Sequence, residues 1–532
     1  MQASLPADRA ETDSEHIQHE DGRVELRESL DAVLEQSPLF NHDLAPTRVA
    51  SRTWTTYTYA ALWISMAHCI PTYMLASGLI GTGMNWWQAL VTILLGNLIV
   101  LVPILLNSHP GTKYGIPFPV FARASYGVYG ANVPAVMRAI VACGWFGINA
   151  WIGGQALQTF FRSLFPAWPT LLGAAAPGGH LLTEWLSFAI FWGINIFIVV
   201  RGMELLRKVE NLAAPYVLVM TALLVTWAIW KAHGLGPIMT EKSKFATLGA
   251  FWPVFVPSVT AMVGFWATLS LNMPDFTRFG RSQREQAVGQ VVALPTTMTV
   301  FAAMGVAITS ASAIIYGKPM WDPIELVGHF ESRLLVGIAM FTVVIATLSV
   351  NIAANIVSPA NDIANLAPKR ISFKMGGVLT GVIGILMMPW KLIADPHGYI
   401  FQWLLGYSGG LGSIAGVLVC DYWIVRRKRL VLADLYRPDG EYAYGEPVTA
   451  VTATVSAKGG YRDPASEAHV RYRGLGVNWG AVLATGVGCT LAWIGLLVSP
   501  LRVLFDYAWF VGAAGAGLSY WAWMKLIFRS RP

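Results

Sequence analysis

Trp145 and Asn149 stand four residues apart in the run Gly144-Trp145-Phe146-Gly147-Ile148-Asn149-Ala150-Trp151-Ile152-Gly153-Gly154-Gln155. On a helix that spacing puts an indole and an amide on one face, one turn apart. An indole can stack on a flat heterocycle, and an amide can pair with the ring's edge through both its C=O and its NH2. The surrounding run is apolar enough to lie in a membrane, where an amide without a partner is costly. Two readings compete: recognition of a planar ring, and helix packing through small residues and amides. Gln155, nearly three turns beyond Trp145, fits packing.

A second cluster is His68-Cys69-Ile70-Pro71. His68 is a side chain that titrates near neutral pH, and Pro71 removes a backbone donor and breaks the turn before it. A histidine bonded to a carbonyl is the plain alternative to a proton-carrying one. The four cysteines, Cys69, Cys143, Cys420 and Cys489, sit in apolar runs without CxxC spacing, so they read as buried thiols. No H-E-x-x-H, G-x-S-x-G, Walker A or Cys/His cluster is present, and the chain reads as a non-enzyme without a metal or organic cofactor.

The elements that must hold these groups are membrane helices. The 532 residues are 55% hydrophobic and 13% charged, about half the charge of a soluble protein. The fold class is an all-α polytopic membrane protein of about twelve spans. They fall near 55–78, 86–107, 139–160, 183–200, 212–231, 250–272, 289–315, 334–357, 374–390, 399–424, 478–498 and 504–527. About 29 of the 37 Lys and Arg residues fall on one side and 8 on the other, which places both termini in the cytoplasm. The same scatter over short loops excludes nucleic-acid binding as the meaning of the +7 net charge.

Residues 1–38 read as a disordered acidic cytoplasmic tail, 39–424 as the core, 425–477 as a cytoplasmic loop, and 478–532 as two closing helices with a short tail. Within the loop, Val448-Thr449-Ala450-Val451-Thr452-Ala453-Thr454-Val455 before Lys458-Gly459-Gly460 could form a small hairpin. Residues 107–130 read as a cytoplasmic connection. Span 1 is broken at His68-Cys69-Ile70-Pro71, and span 6 is punctuated by Pro253, Pro257 and Gly264. Breaks five spans apart point to an inverted repeat with a midplane site.

Several segments resemble the nucleobase:cation symporter-1 family, in its bacterial allantoin, uracil and hydantoin permease branch. They are Asp43-Leu44-Ala45-Pro46-Thr47, Gly111-Thr112-Lys113-Tyr114-Gly115-Ile116-Pro117-Phe118-Pro119 and Arg123-Ala124-Ser125-Tyr126-Gly127. Trp145-Phe146-Gly147, Pro274-Asp275-Phe276-Thr277-Arg278 and the span 8 run from Asn351 to Ala360 continue the match, with weaker ones at Pro389-Trp390-Lys391 and Asp434-Leu435-Tyr436. The likeness runs from about Asn41 to about Phe528. It implies a five-plus-five inverted repeat, about 53–232 and 250–424, with broken helices 1 and 6 and two extra C-terminal helices.

The resemblance also implies the site: Trp145, Asn149, Trp266, Asn355, Cys69 and Phe265 around the substrate. Cys69 stands where a glutamine is common, and Asn149 where some members have glutamine. A uracil-like ring fits the chemistry, since two indoles can face a flat ring, each stack worth roughly 1–3 kcal/mol. Two asparagines can pair its alternating C=O/N–H edge. No acid is evident at that depth, which favours a neutral ring. For the cation the resemblance implies Ser65, His68, Ala346 and Ser349, while Val350 replaces a hydroxyl of the sodium-coupled pattern. The coupling ion is therefore left as proton or sodium.

The expected function is import of a neutral planar nucleobase or related heterocycle, of the uracil, allantoin or hydantoin type, by cation symport and alternating access. The partners are that small molecule, a monovalent cation and membrane lipid, the protein acting as a monomer in the bacterial cytoplasmic (inner) membrane. A transporter-like sensor and an importer of another ring, such as cytosine or a vitamin, are the alternatives.

Overall fold

The computed structural model describes residues 15–173, 175–201, 203–393, 403–448 and 471–530. Among these, nine helices are long and apolar enough to cross a membrane. A tenth span is the pair Thr56–Ala67 and Ile70–Gly81, bent by 59°. The apolar helix Phe373–Leu386 and the 23-residue helix Ala508–Ser530 stand where spans 9 and 12 were expected. The chain is a multi-pass, mostly helical membrane protein.

Proline chemistry explains where the site helices break. Pro71 lies in the first turn of Ile70–Gly81, where its missing N–H is harmless, and Cys69 before it is extended (φ −136°, ψ 155°). The Ala67 carbonyl, which Pro71 cannot serve, accepts the Cys69 N–H instead. Span 8 runs over Arg333–Asn355, breaks at Ile356 (φ −117°, ψ −47°) and resumes as Val357–Leu366. Pro359 offers no donor to the Asn355 carbonyl, which accounts for that break and leaves Asn355 at a helix end.

Span 6 corrects the sequence reading. Pro253 and Pro257 stay inside the helix Leu248–Phe265, and the interruption falls at Trp266 (φ −104°, ψ 11°). Ala267–Asn272 follows, then Pro274–Thr277. The Ser270 carbonyl, four residues before Pro274, accepts from Asn107 Nδ2 at 2.7 Å. A proline costs a helix one hydrogen bond, and a buried side-chain amide replaces it here.

Two boundaries also move. The segment 107–130 is mostly helical: span 2 runs to Tyr114, capped by left-handed Gly115 (φ 71°), and Phe118–Tyr126 forms a helix of its own. Span 3 begins at Asn132, so Arg138, expected in a loop, is fully buried within Asn132–Leu164. Span 3 packs along span 8 and crosses the ninth span closely: a Cβ on Gly147 would lie 2.4 Å from the Gly384 carbonyl oxygen.

Residues 15–38, expected as part of a disordered tail, are folded. His16–Gln18 pairs antiparallel with Val24–Leu26, a short helix covers Asp31–Glu35, and Val24, Leu26 and Leu34 are buried. Acid-rich composition hid three apolar anchors and the cations waiting for the acids. Arg48 pairs with Glu25 and Asp31, and Arg437 with Glu15. Residues 1–14 lie outside the described residues. So do 449–470, and with them nearly all of the expected hairpin; Glu446–Val448 pairs with Arg471–Arg473.

Candidate functional site

The motif segments meet at one face of the bundle. Arg278 donates to the Asp43 and Ala45 carbonyls and to Thr47 Oγ1, at 2.8–3.0 Å. Arg123 donates to Asn365 Oδ1 and to the Leu39 and Leu435 carbonyls. Arg52 donates to the carbonyls of Thr47, Thr112, Lys113 and Val24. Burial first, then the neighbouring Arg23, lowers the Arg52 pKa to about 10, so it stays charged at neutral pH. These segments build a scaffold that locks the N-terminal segment onto spans 2, 6 and 8, through backbone carbonyls and side chains away from the rings.

Two acids sit deeper than the sequence suggested. Arg138 and Asp362 form an ion pair at 3.3 Å, both side chains fully buried, joining span 3 to the far half of span 8. Asp275 is buried as well, and its Oδ1 accepts from the Phe118 N–H at 3.0 Å. A groove of about 380 Å³ lined by Ala135, Ala139, Cys143, Asp362, Ile363 and Ile383 adjoins this pair and holds none of the expected ring-binding residues.

Those ring-binding residues form a separate buried cluster at the helix breaks. Trp145, on span 3, meets Phe265 edge to face with centroids 5.3 Å apart. Phe265, the last residue before the span 6 break, meets Trp266 in the same way at 4.9 Å. Trp266 in turn meets Trp63 of span 1 at 5.1 Å. The four rings run as one edge-to-face chain from span 3 through span 6 to span 1, an arrangement aromatic quadrupoles favour. The two indoles are thus each in contact with Phe265, which presents an edge-to-face contact to both. Tyr407, in the tenth span, anchors the chain: it accepts from Trp145 Nε1 at 3.2 Å and donates to the Gly264 carbonyl at 2.9 Å.

Asn149 adjoins the rings, and Asn355 is tied to the same stretch of span 3 through Asn351. Asn149 Nδ2 donates to the Trp145 carbonyl (3.2 Å), and Asn149 Oδ1 is buried without a protein partner. Asn355 Nδ2 donates to Asn351 Oδ1 (3.1 Å). Asn351 Nδ2 donates to the Phe146 carbonyl, next to Trp145, and to Asn195 Oδ1, both at 3.3 Å. Trp266 Nε1 and Trp63 Nε1 are also buried donors without a partner among the described residues. Buried polar atoms normally find partners, and free donors and acceptors beside four rings make an arrangement able to hold a polar, flat molecule. No charged side chain hydrogen-bonds to these residues among the described ones.

Cys69 stands apart from the rings in its contacts, with Sγ 3.2 Å from Thr72 Oγ1. His68, on the break itself, bonds the Ile64 carbonyl through Nδ1 at 2.8 Å, so that nitrogen carries the proton. Its Nε2 is buried and bare, and its ring lies 4.1 Å from that of Phe301. Ser65 of span 1 and Ser349 of span 8 touch through their hydroxyls at 2.5 Å. Ala346 is partly buried nearby in sequence, and Val350, buried, contributes no oxygen from its side chain.

The sequence reading missed Trp63, Tyr407 and Asn195. Trp63 is one of 22 tryptophans, and nothing local distinguishes it. Asn195 carried the signal that singled out Asn149, an amide at membrane depth.

Residues 46–459 match the family described as permeases for cytosine/purines, uracil, thiamine and allantoin. The chain is 40% identical over 490 residues to the allantoin permease of Bacillus subtilis (strain 168), covering 92% of this chain and 94% of that one. It is 43% identical over 423 residues to the purine-uracil permease NCS1 of Arabidopsis thaliana, covering 79% and 70%. Among solved structures it resembles Mhp1, a nucleobase-cation-symport-1 family transporter, in a closed conformation with bromovinylhydantoin bound. The TM-score is 0.73 at 25% identity, over 93% of this chain and 97% of the other.

Proposed function

The chain belongs to the nucleobase-cation-symport-1 family of permeases, a family of nucleobase-type transporters and not of enzymes, and from that premise we propose that it imports a neutral planar heterocycle of the uracil, allantoin or hydantoin type. The observation that carries this reading is the buried chain Trp145–Phe265–Trp266–Trp63, with the open carbonyl oxygen of Asn149 one turn along from Trp145 and Asn355 tied to the same stretch of span 3 through Asn351. Stacking favours a flat ring, paired amides favour a C=O/N–H edge, and the lack of a charged partner favours a neutral one. Allantoin is the first ring to test, given the 40% identity to an allantoin permease over nearly the whole length.

Transport on this reading is alternating access. The breaks at Cys69, Trp266 and Ile356 give spans 1, 6 and 8 joints beside the site, and half-helices can tilt about such joints without loss of their own hydrogen bonds. The protein works as a monomer in the bacterial inner membrane with both termini in the cytoplasm, as the Lys/Arg asymmetry supports.

The driving ion on this reading is a proton. His68 Nε2 is a bare nitrogen on the span 1 joint, while of the side chains proposed for sodium only Ser65 and Ser349 offer oxygen, and they bond each other. One charge moved through 100 mV supplies about 2.3 kcal/mol, roughly fifty-fold accumulation. The test is radiolabelled uptake of allantoin, uracil and hydantoin into cells expressing the chain, with Asn355→Ala alongside. Saturable uptake of one ring, lost in the variant, is the expected result. A correctly inserted protein that takes up none of them overturns the reading.

A further inference from the structure

The amides of Asn195, Asn351 and Asn355 form a relay with a fixed direction, and that direction is set by two backbone carbonyls. Asn195 Nδ2 donates to the Phe191 carbonyl at 2.8 Å, one turn earlier in Leu182–Arg201. A carbonyl only accepts, so the NH2 of Asn195 must face it, and Oδ1 must face the other way. That oxygen accepts from Asn351 Nδ2 (3.3 Å), whose second N–H goes to the Phe146 carbonyl (3.3 Å). Asn351 is therefore held with Oδ1 toward Asn355, and Asn355 Nδ2 donates to it at 3.1 Å.

At the end of the relay, Asn355 has one N–H spent and its carbonyl oxygen free. Asn149 repeats the pattern independently, with one N–H on the Trp145 carbonyl and Oδ1 unpartnered. Each amide thus offers the site a whole carbonyl oxygen, with two lone pairs, and a single N–H. The site is richer in acceptors than in donors among its amides. The Asn149 and Asn355 carbonyls are therefore set to read ring N–H groups, while ring C=O groups are left to the remaining amide N–H groups and to the indole N–H groups of Trp63 and Trp266.

We infer that Asn195 and Asn351 are positioning residues that fix the Asn355 amide with its carbonyl toward the substrate, making the site a reader of ring N–H donors. Asn195 and Asn351 are fully buried, and Asn195 lies two amides away from Asn355. With the relay cut, the Asn355 amide can turn over and present its NH2 instead, and a ring whose N–H has been blocked is then penalised less. The inference rests on the transport of a planar heterocycle proposed above.

The experiment measures competition by uracil and hydantoin against the transported ring, each compared with its singly N-methylated forms. Wild type, Asn195→Leu and Asn351→Leu are measured, with Asn195→Ala as the substitute where the larger side chain prevents insertion. The readout is the ratio of inhibition constants, N-methylated to parent, which is independent of how much protein is active. In wild type the worst N-methylated form is expected to bind at least roughly tenfold more weakly than its parent. In Asn195→Leu and Asn351→Leu the ratio is expected to fall by roughly fivefold, about the worth of one net hydrogen bond. Variants that lose uptake while keeping the wild-type ratio show a merely structural role and overturn the positioning. A wild type indifferent to N-methylation overturns the N–H reading. A wild type that takes up none of allantoin, uracil and hydantoin fails the proposed function instead.

Discussion

Ser65 and Ser349 bring their hydroxyl oxygens to 2.5 Å of each other, although 284 residues separate them in the chain. The contact ties the first half of the broken span 1 to span 8, three residues before the His68 joint. It is a bond between two of the broken helices that carry the site, and its strength helps decide how readily they part.

Ser349→Ala removes one partner of that bond. We expect a stability loss of about 1 kcal/mol, read as a lowered melting temperature in detergent. Uptake should persist when sodium is replaced by choline and collapse with a protonophore, in wild type and variant alike. Sodium-dependent uptake in wild type that Ser349→Ala abolishes would assign the ion to these hydroxyls instead of His68.

The ring chain predicts a graded series. Trp145→Ala removes a stacking face and should weaken ring binding by roughly 1–3 kcal/mol, or about 5- to 150-fold. Tyr407→Phe keeps every ring but removes the hydroxyl that accepts from Trp145 Nε1 and donates to the Gly264 carbonyl. Its cost should be about 1 kcal/mol in affinity, smaller than that of Trp145→Ala. Equilibrium binding of radiolabelled ring to purified protein checks the order; equal losses in both variants would contradict it.

The ion pair Arg138–Asp362 is held at 3.3 Å with neither side chain exposed. Asp362→Ala strands a buried guanidinium and should destabilise the fold by about 3–5 kcal/mol. Replacing both partners, Arg138→Met with Asp362→Leu, should recover most of that loss, since two apolar groups need no pairing. Thermal unfolding of the three proteins measures it. A double variant as unstable as the single one would mean that Asp362 has a role beyond pairing.

Arg52 clamps the N-terminal segment through the Val24 carbonyl while capping the end of span 2 at Thr112 and Lys113. Arg52→Ala leaves those carbonyls without a charged donor, each such bond being worth about 1.5–3 kcal/mol. The expected result is faster proteolytic clipping within residues 15–47 at unchanged helix content. Equal clipping rates in wild type and variant would show that the segment is held by its apolar anchors alone.

Much of this molecule was written in the order of its residues. Apolar runs interrupted by charge gave the spans, because a bilayer demands lengths of about twenty apolar residues with every backbone group satisfied. His68-Cys69-Ile70-Pro71 announced the span 1 break, and Trp145 with Asn149 announced a face able to hold a ring, because helical spacing alone places them together. What the chain order could not encode was which broken end meets which. Pro253 and Pro257 look like breaks yet are absorbed, while Ile356 is a break that only its lost donor at Pro359 explains. The meeting of Trp63, Trp266 and Phe265 with Trp145, the anchoring by Tyr407, and the amide relay from Asn195 to Asn355 all join spans far apart in sequence. The same holds for the acids of the N-terminal segment, which look solvated until Arg48 and Arg437 come to meet them. Helical periodicity fixes which residues share a face, but the partner of that face is chosen by packing among all the spans at once, and only the tertiary structure carries that choice.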